Sequence, residues 1–214
     1  MNARPTLTWF QGAAGGILIV LLALPRTRVW LEADLVGHVL AQMPLLALAG
    51  WLAGDAFAAR LQRIVENWNQ GGVAGLTLVI FTGLFWMLPR SVDGAVQHAD
   101  YEMAKFMSLP CAGASLALSF PCAHSLVRGA LKANLISMLG VLAWLYTVAP
   151  VRLCNSYLKS DQEMLGTAMA FLAGALAVGW GIGLFFGPPR PSIAGDVPPK
   201  PSVLPATSGA QSLS

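Results

Sequence analysis

Six apolar runs dominate the chain, at about 10–24, 35–57, 72–88, 102–121, 133–151 and 164–186, and the short stretches between them hold most of the charges. A bilayer core about 30 Å thick takes roughly 17–25 apolar residues to cross as a helix. It offers no water to backbone N–H and C=O groups, so such runs must be helices or barrel strands. These runs lack strict alternation and are too long for barrel strands. The expectation is an all-α integral membrane bundle of about six transmembrane helices over residues 1–187. Composition agrees: of 214 residues, 56% are hydrophobic and 11% charged, against about 25% charged in soluble domains, and the mean hydropathy is +0.62.

The first run follows Arg4 and ends at Pro25-Arg26, which makes it resemble a signal peptide. It has no clear small-x-small cleavage site, so a retained helix is expected. Composition changes after Gly187, where seven prolines mix with Ser, Ala and Gly through Ser214. A segment of that kind cannot bury a core, and 188–214 is expected to be a disordered Pro/Ser-rich tail. The net charge of +3 comes from basic residues scattered singly or in pairs at the ends of runs. That pattern speaks for topology and lipid headgroup contact, not for nucleic acid.

Six spans put both termini on one side. Arg4, Arg60, Arg63, Arg128, Lys132, Arg190 and Lys200 gather there, nearly balanced by Arg26, Arg28, Arg90, Lys105, Arg152 and Lys159 on the other. Both termini are placed in the cytoplasm, with the loops around Arg28, His98 and Asn155 on the opposite face. Cys111, Cys122 and Cys154 form no CxxC or zinc spacing. Cys111 and Cys122, eleven residues apart on one predicted helix, stand roughly 16 Å from each other, too far for a disulfide.

Met103, Met107 and Cys111 are spaced i, i+4, i+8 and share a helix face, which Ser115, Ser119 and Cys122 extend. Sulfur donors in line suit a soft ion such as Cu(I); Met and Cys packing a helix interface is the plainer alternative. Pro110 crosses the same helix and should kink it. His38 is the one histidine within an apolar run, a functional candidate or a satisfied structural residue. His98 shares a loop with Asp93, Asp100 and Glu102, a set that offers either a metal site or solvated loop charge. Asp161 stands where it could cap the last helix. Small residues are spaced for close helix approach at Gly12 and Gly16, and at Ala175, Gly179, Gly183 and Gly187. There is no P-loop, GxGxxG, GxSxG or HExxH, and no paired histidines on facing spans for haem, so a non-enzymatic role is expected.

Three stretches resemble the CtaG family of cytochrome c oxidase assembly factors. Gln42-Met43-Pro44-Leu45-Leu46 is similar to a Gln-His-Met-Leu-Leu segment. Trp86-Met87-Leu88-Pro89, with Asp93-Gly94-Ala95-Val96 and His98, is similar to a Trp-His-x-Pro motif and the loop after it. Asp161-Gln162 with Gly166 and Met169 is similar to an Asp-Gln-x-x-x-Gly-x-x-Met helix opening. The order matches, and the stretches organise roughly residues 35–185. Where the family pattern has histidine, this chain has Met43, Met87, Glu102 and Phe106.

The resemblance implies a multi-pass protein of the bacterial inner membrane, surrounded by lipid. Its role would be an accessory one, in assembly or copper supply of a respiratory oxidase whose subunits are its partners. Copper is the implied ion, with Met43, Met87, His98, Met103 and Met107 as candidate ligands on the non-cytoplasmic side. The substituted histidines imply a metal site that is altered or lost. The alternatives are a small-solute or ion transporter or channel, and a structural subunit of a membrane complex.

Overall fold

A computed structural model describes residues 5–58 and 69–186. The expected tail at 188–214 lies outside the described residues, as do Arg4, Arg60, Arg63, Gly187, Arg190 and Lys200. The described chain is all helical: α1 (Pro5–Ala23), α2 (Pro25–Leu31), a π-helical turn (Gly37–Gln42) running into α3 (Met43–Ala56), α4 (Val73–Met87), α5 (Pro89–Gln97), α6 (Ala99–Ser119), α7 (Ser125–Val148) and α8 (Lys159–Phe185). Each of the six apolar runs thus becomes a long helix.

Three segments, Gly37–Ala56, Ser125–Val148 and Lys159–Phe185, are each long and apolar enough to cross a membrane alone. Two bent pairs, α1 with α2 at 74° and α4 with α5 at 75°, meet the same measure only when each pair is taken as one broken span. Helix α6, which carries Asp100, Glu102 and Lys105 in its first two turns, falls short of that measure. Both bends have one cause. Leu24 and Leu88 precede prolines and take extended backbone (ψ 133° and 130°), because a following proline ring disfavours the α region. Pro25 and Pro89 then open the next helix, where a missing N–H costs nothing.

The tightest packing joins α3 to α6, with α1 and α4 on either side. Gly50 of α3 lies against the Pro110 backbone, and Gly113 of α6 against the Ala47 carbonyl, so a Cβ at either would strike main chain. Helix α6 continues through Pro110 as one helix. Gly12 meets Ala56 and Gly15 meets Ala49, whereas Gly16 faces open space, so the α1 contact runs through Gly12 and Gly15. Helices α7 and α8 form a hairpin packed chiefly on itself. Leu139, Ala143, Tyr146, Leu165 and Met169 join it to the core. Phe81, Trp144, Phe171 and Phe185 are among many large apolar side chains left on the outside. In water such a surface is an aggregation hazard; against lipid tails it is the required one.

Candidate functional site

The π-helical turn begins where Asp34 Oδ1 accepts the Gly37 N–H at 2.6 Å. Pro44 has no N–H to give the Leu40 carbonyl, and the Met43 N–H reaches back to the His38 carbonyl, closing the wider turn. His38, Val39 and Gln42 all point inward from it. Opposite them, Lys105 of α6 is completely buried. Its ammonium has three protons and no acceptor, and three acceptors surround it: Glu32 Oε1 at 2.6 Å, Gln42 Oε1 at 2.9 Å and His38 Nε2 at 3.4 Å.

That geometry sets the histidine tautomer. Because Nε2 faces a donor, the proton sits on Nδ1, which donates to the Tyr157 hydroxyl at 2.8 Å. Tyr157 in turn donates to the Glu32 main-chain carbonyl at 3.1 Å. Burial raises the Tyr157 hydroxyl well above its usual pKa, and the Glu32 charge adds to that, so it stays a donor. Gln42 Nε2 donates to Glu32 Oε1 at 3.1 Å. Arg28 Nε stands 3.6 Å from Glu32 Oε2, and the Arg28 guanidinium also pairs with Glu102. Two cations, Arg28 and Lys105, thus balance two carboxylates, Glu32 and Glu102. Removing a charge from water costs several kcal/mol unless it is paired and hydrogen-bonded; here every formal charge has its partner.

A second set of bonds pins the loop 149–158 over this network. Asp93 Oδ2 accepts the Asn155 N–H at 2.6 Å and Oδ1 the Ser156 N–H at 3.0 Å. Gln162 Oε1 accepts the Leu153 N–H at 2.8 Å, and Gln97 Nε2 donates to Ser156 Oγ at 2.8 Å. Asp161 Oδ2 accepts the Leu158 N–H at 3.3 Å, the capping role expected of it. Cys154 is buried beneath the loop, where burial and the Asp93 charge push its thiol up to about 11. Beside the loop opens a cavity of about 450 Å³ lined by Arg90, Asp93, Gln97, His98, Tyr101 and Asn155.

The sequence-predicted ligands do not gather in one place. Met43 is buried in the core and Met87 packs against it, partly covered. Met103 and Met107 are 65% and 70% exposed on the outer face of α6, with Cys111 exposed beyond them. The stripe turns inward only at Ser119, which accepts a bond from Asn69. His98 is exposed just ahead of α6 and lines the cavity. Among the described residues, no three His, Cys, Asp or Glu side chains are arranged to hold a metal ion. His38 is buried with both ring nitrogens held by protein partners, as a structural histidine would be. Lys105, Glu32 and Tyr157 join it, and none of these three stood out in the sequence. Comparison with protein-family models, curated proteins and solved structures finds no match.

Proposed function

We propose that the chain is a non-enzymatic accessory protein of a bacterial inner membrane that assists assembly of a respiratory cytochrome c oxidase. In this reading it crosses the membrane six times, with both termini cytoplasmic and the Lys105 network near the opposite face. One observation carries the reading: the three stretches that resemble the CtaG family meet at one end of the bundle. Gln42 from the first holds Lys105, Asp93 from the second holds the loop 149–158 at Asn155 and Ser156, and Gln162 from the third holds it at Leu153. Gln42 thus serves the Lys105 network, and Asp93 and Gln162 serve the loop whose Tyr157 is tied to that network through His38.

Copper fits this end poorly. At the four positions where the family pattern has histidine, Met43 is enclosed in the core, Met87 packs at its edge and Glu102 is paired with Arg28. Phe106 packs against the core beside the Lys105 ammonium. Two thioethers with no imidazole make a meagre Cu(I) site. The proposed role therefore runs through the loop 149–158, held in place by buried polar groups and presented to the oxidase, and no step passes through the metal. Deleting the gene should lower assembled oxidase in the membrane, and ample copper in the medium should not restore it. Unchanged oxidase content would overturn the assignment, and full rescue by copper would return it to metal supply.

The buried Glu32–Lys105–His38–Tyr157 chain of side-chain hydrogen bonds favours a second reading, an ion or proton path, since intramembrane ionisable groups often mark such routes. Protein reconstituted in sealed vesicles would then carry protons down an imposed gradient, and the accessory reading predicts no flux above empty vesicles.

A further inference from the structure

On the hairpin, between α7 and α8, lies a groove of about 490 Å³, within the roughly 300–1,000 Å³ usual for small-molecule sites. Its walls are Leu135 and Ile136 of α7 and Leu176, Gly179 and Trp180 of α8, and Lys132 stands among them. Among the described residues, Gly179 and Gly183 have no atom within 4 Å of where a Cβ would stand, so no described helix fills this side of α8. That is the reverse of Gly50 and Gly113, whose missing side chains admit a neighbouring backbone.

The charge at this groove is one-sided. Lys132 lines it, and Arg128, outside the lining, stands one helical turn before Lys132; neither pairs with a carboxylate among the described residues. The Arg128 Nε is buried without a hydrogen-bond partner, and the guanidinium lies over the Phe120 ring at 5.8 Å. Trp180 reaches to 4.0 Å of the position a Gly129 side chain would take, which puts the indole level with the first turns of α7. Tryptophan and basic residues at one height mark the headgroup level of a bilayer. An apolar slot running inward from that level, with Lys132 in its wall and Arg128 a turn away, both without a carboxylate partner among the described residues, is complementary to a phosphodiester headgroup above an acyl chain. A partner helix would satisfy the apolar walls but leave both cations unanswered.

We propose that this groove binds an anionic phospholipid, its phosphate against Arg128 and Lys132 and one tail between α7 and α8. The proposal rests on the chain being a membrane protein, not on its part in oxidase assembly.

The test uses the full chain in a neutral detergent, with phosphatidylglycerol and phosphatidylcholine titrated in turn and bound lipid counted by native mass spectrometry. Two basic groups predict a preference of about tenfold or more for phosphatidylglycerol. Arg128→Gln with Lys132→Gln should erase that preference, and Lys132→Arg alone should keep it. Gly179→Leu, which has room for its side chain, should fill the slot and weaken both lipids while leaving the melting temperature unchanged. Equal binding of the two lipids by the unaltered protein would overturn the proposal. So would an undiminished preference in the double variant, or displacement of the lipid by millimolar inorganic phosphate, which would indicate a headgroup site with no seat for the tail.

Discussion

Replacing Lys105 with methionine keeps the length and apolar stem of the side chain and removes only its charge and donors. Three groups then lose a bond. Gln42 Oε1 and His38 Nε2 are left as buried acceptors without a donor, and Glu32 Oε1 keeps only the Gln42 amide. Arg28 still faces the other Glu32 oxygen, so the carboxylate is not wholly stranded. An orphaned buried polar group costs about 1–3 kcal/mol, and breaking a buried ion pair from one side costs about 3–5 kcal/mol. The loss expected for Lys105→Met is therefore about 3–5 kcal/mol.

Adding Glu32→Gln removes the unmatched charge, so the double variant should be more stable than the sum of the two single changes. The coupling should be at least about 1 kcal/mol. Denaturation in mixed micelles, followed by circular dichroism for the four proteins of the cycle, measures it. A Lys105→Met protein within about 0.5 kcal/mol of the unaltered chain, the usual range for a surface change, would refute the reasoning. So would a coupling indistinguishable from zero.

Three further outcomes follow from the same geometry. Cys122 and a cysteine placed at Asn155 should react with a membrane-impermeant maleimide from opposite faces of the membrane, and labelling from one face alone would refute the six-crossing topology. Cys154 should resist alkylation at pH 8 while exposed Cys122 reacts, because the thiolate is the nucleophile and the Cys154 thiol sits at about 11 instead of 9.0. Its folded-state value is raised, so the stability it contributes is complete below about pH 9 and is lost as pH climbs toward 11; a melting temperature flat across that window would contradict this. Gly113→Leu should cost about 3 kcal/mol or more by forcing α3 and α6 apart, whereas Gly183→Leu, in open space, should leave the melting temperature within a degree or two.

Much of the helical fold was legible because a helix that meets lipid must be largely apolar, and each of six such runs holds a helix, although α6 with its charged first turns falls short of a span. The two bends carried a signal as well. Leu24-Pro25 and Leu88-Pro89 are helix breaks by backbone sterics alone, and the short helices after them were hidden only by being read as loop. The site was harder. His38 was visible as an ionisable group inside an apolar run, but its partners Lys105 and Tyr157 lie 67 and 119 residues away, and no periodicity links them. A clue did exist for Lys105. With Leu109 and Ala112 it forms an i, i+4, i+7 stripe that proves to be buried, while Met103 and Met107, two residues to either side, face outward. A charge on the core face of a helix needs a partner inside the bundle. The methionines drew notice for their sulfur, yet the helical phase that aligns them also sets them opposite Lys105. The small-residue stripe of α8 read as a surface for close approach of another helix, but Gly179 and Gly183 face open space among the described residues.

The most direct test is complementation of a strain lacking the gene, with assembled oxidase read from the haem absorbance of isolated membranes. Two variants separate the polar-end account from the metal account: Met43→Leu with Met87→Leu, which removes the sulfur donors at nearly constant volume, and Lys105→Met, which disrupts the network. Both must first be shown by quantitative blotting to reach the membrane at the level of the unaltered chain. The account predicts that the double methionine variant restores oxidase fully, even at limiting copper, and that Lys105→Met does not. Failure of the methionine variant together with rescue by Lys105→Met would contradict it.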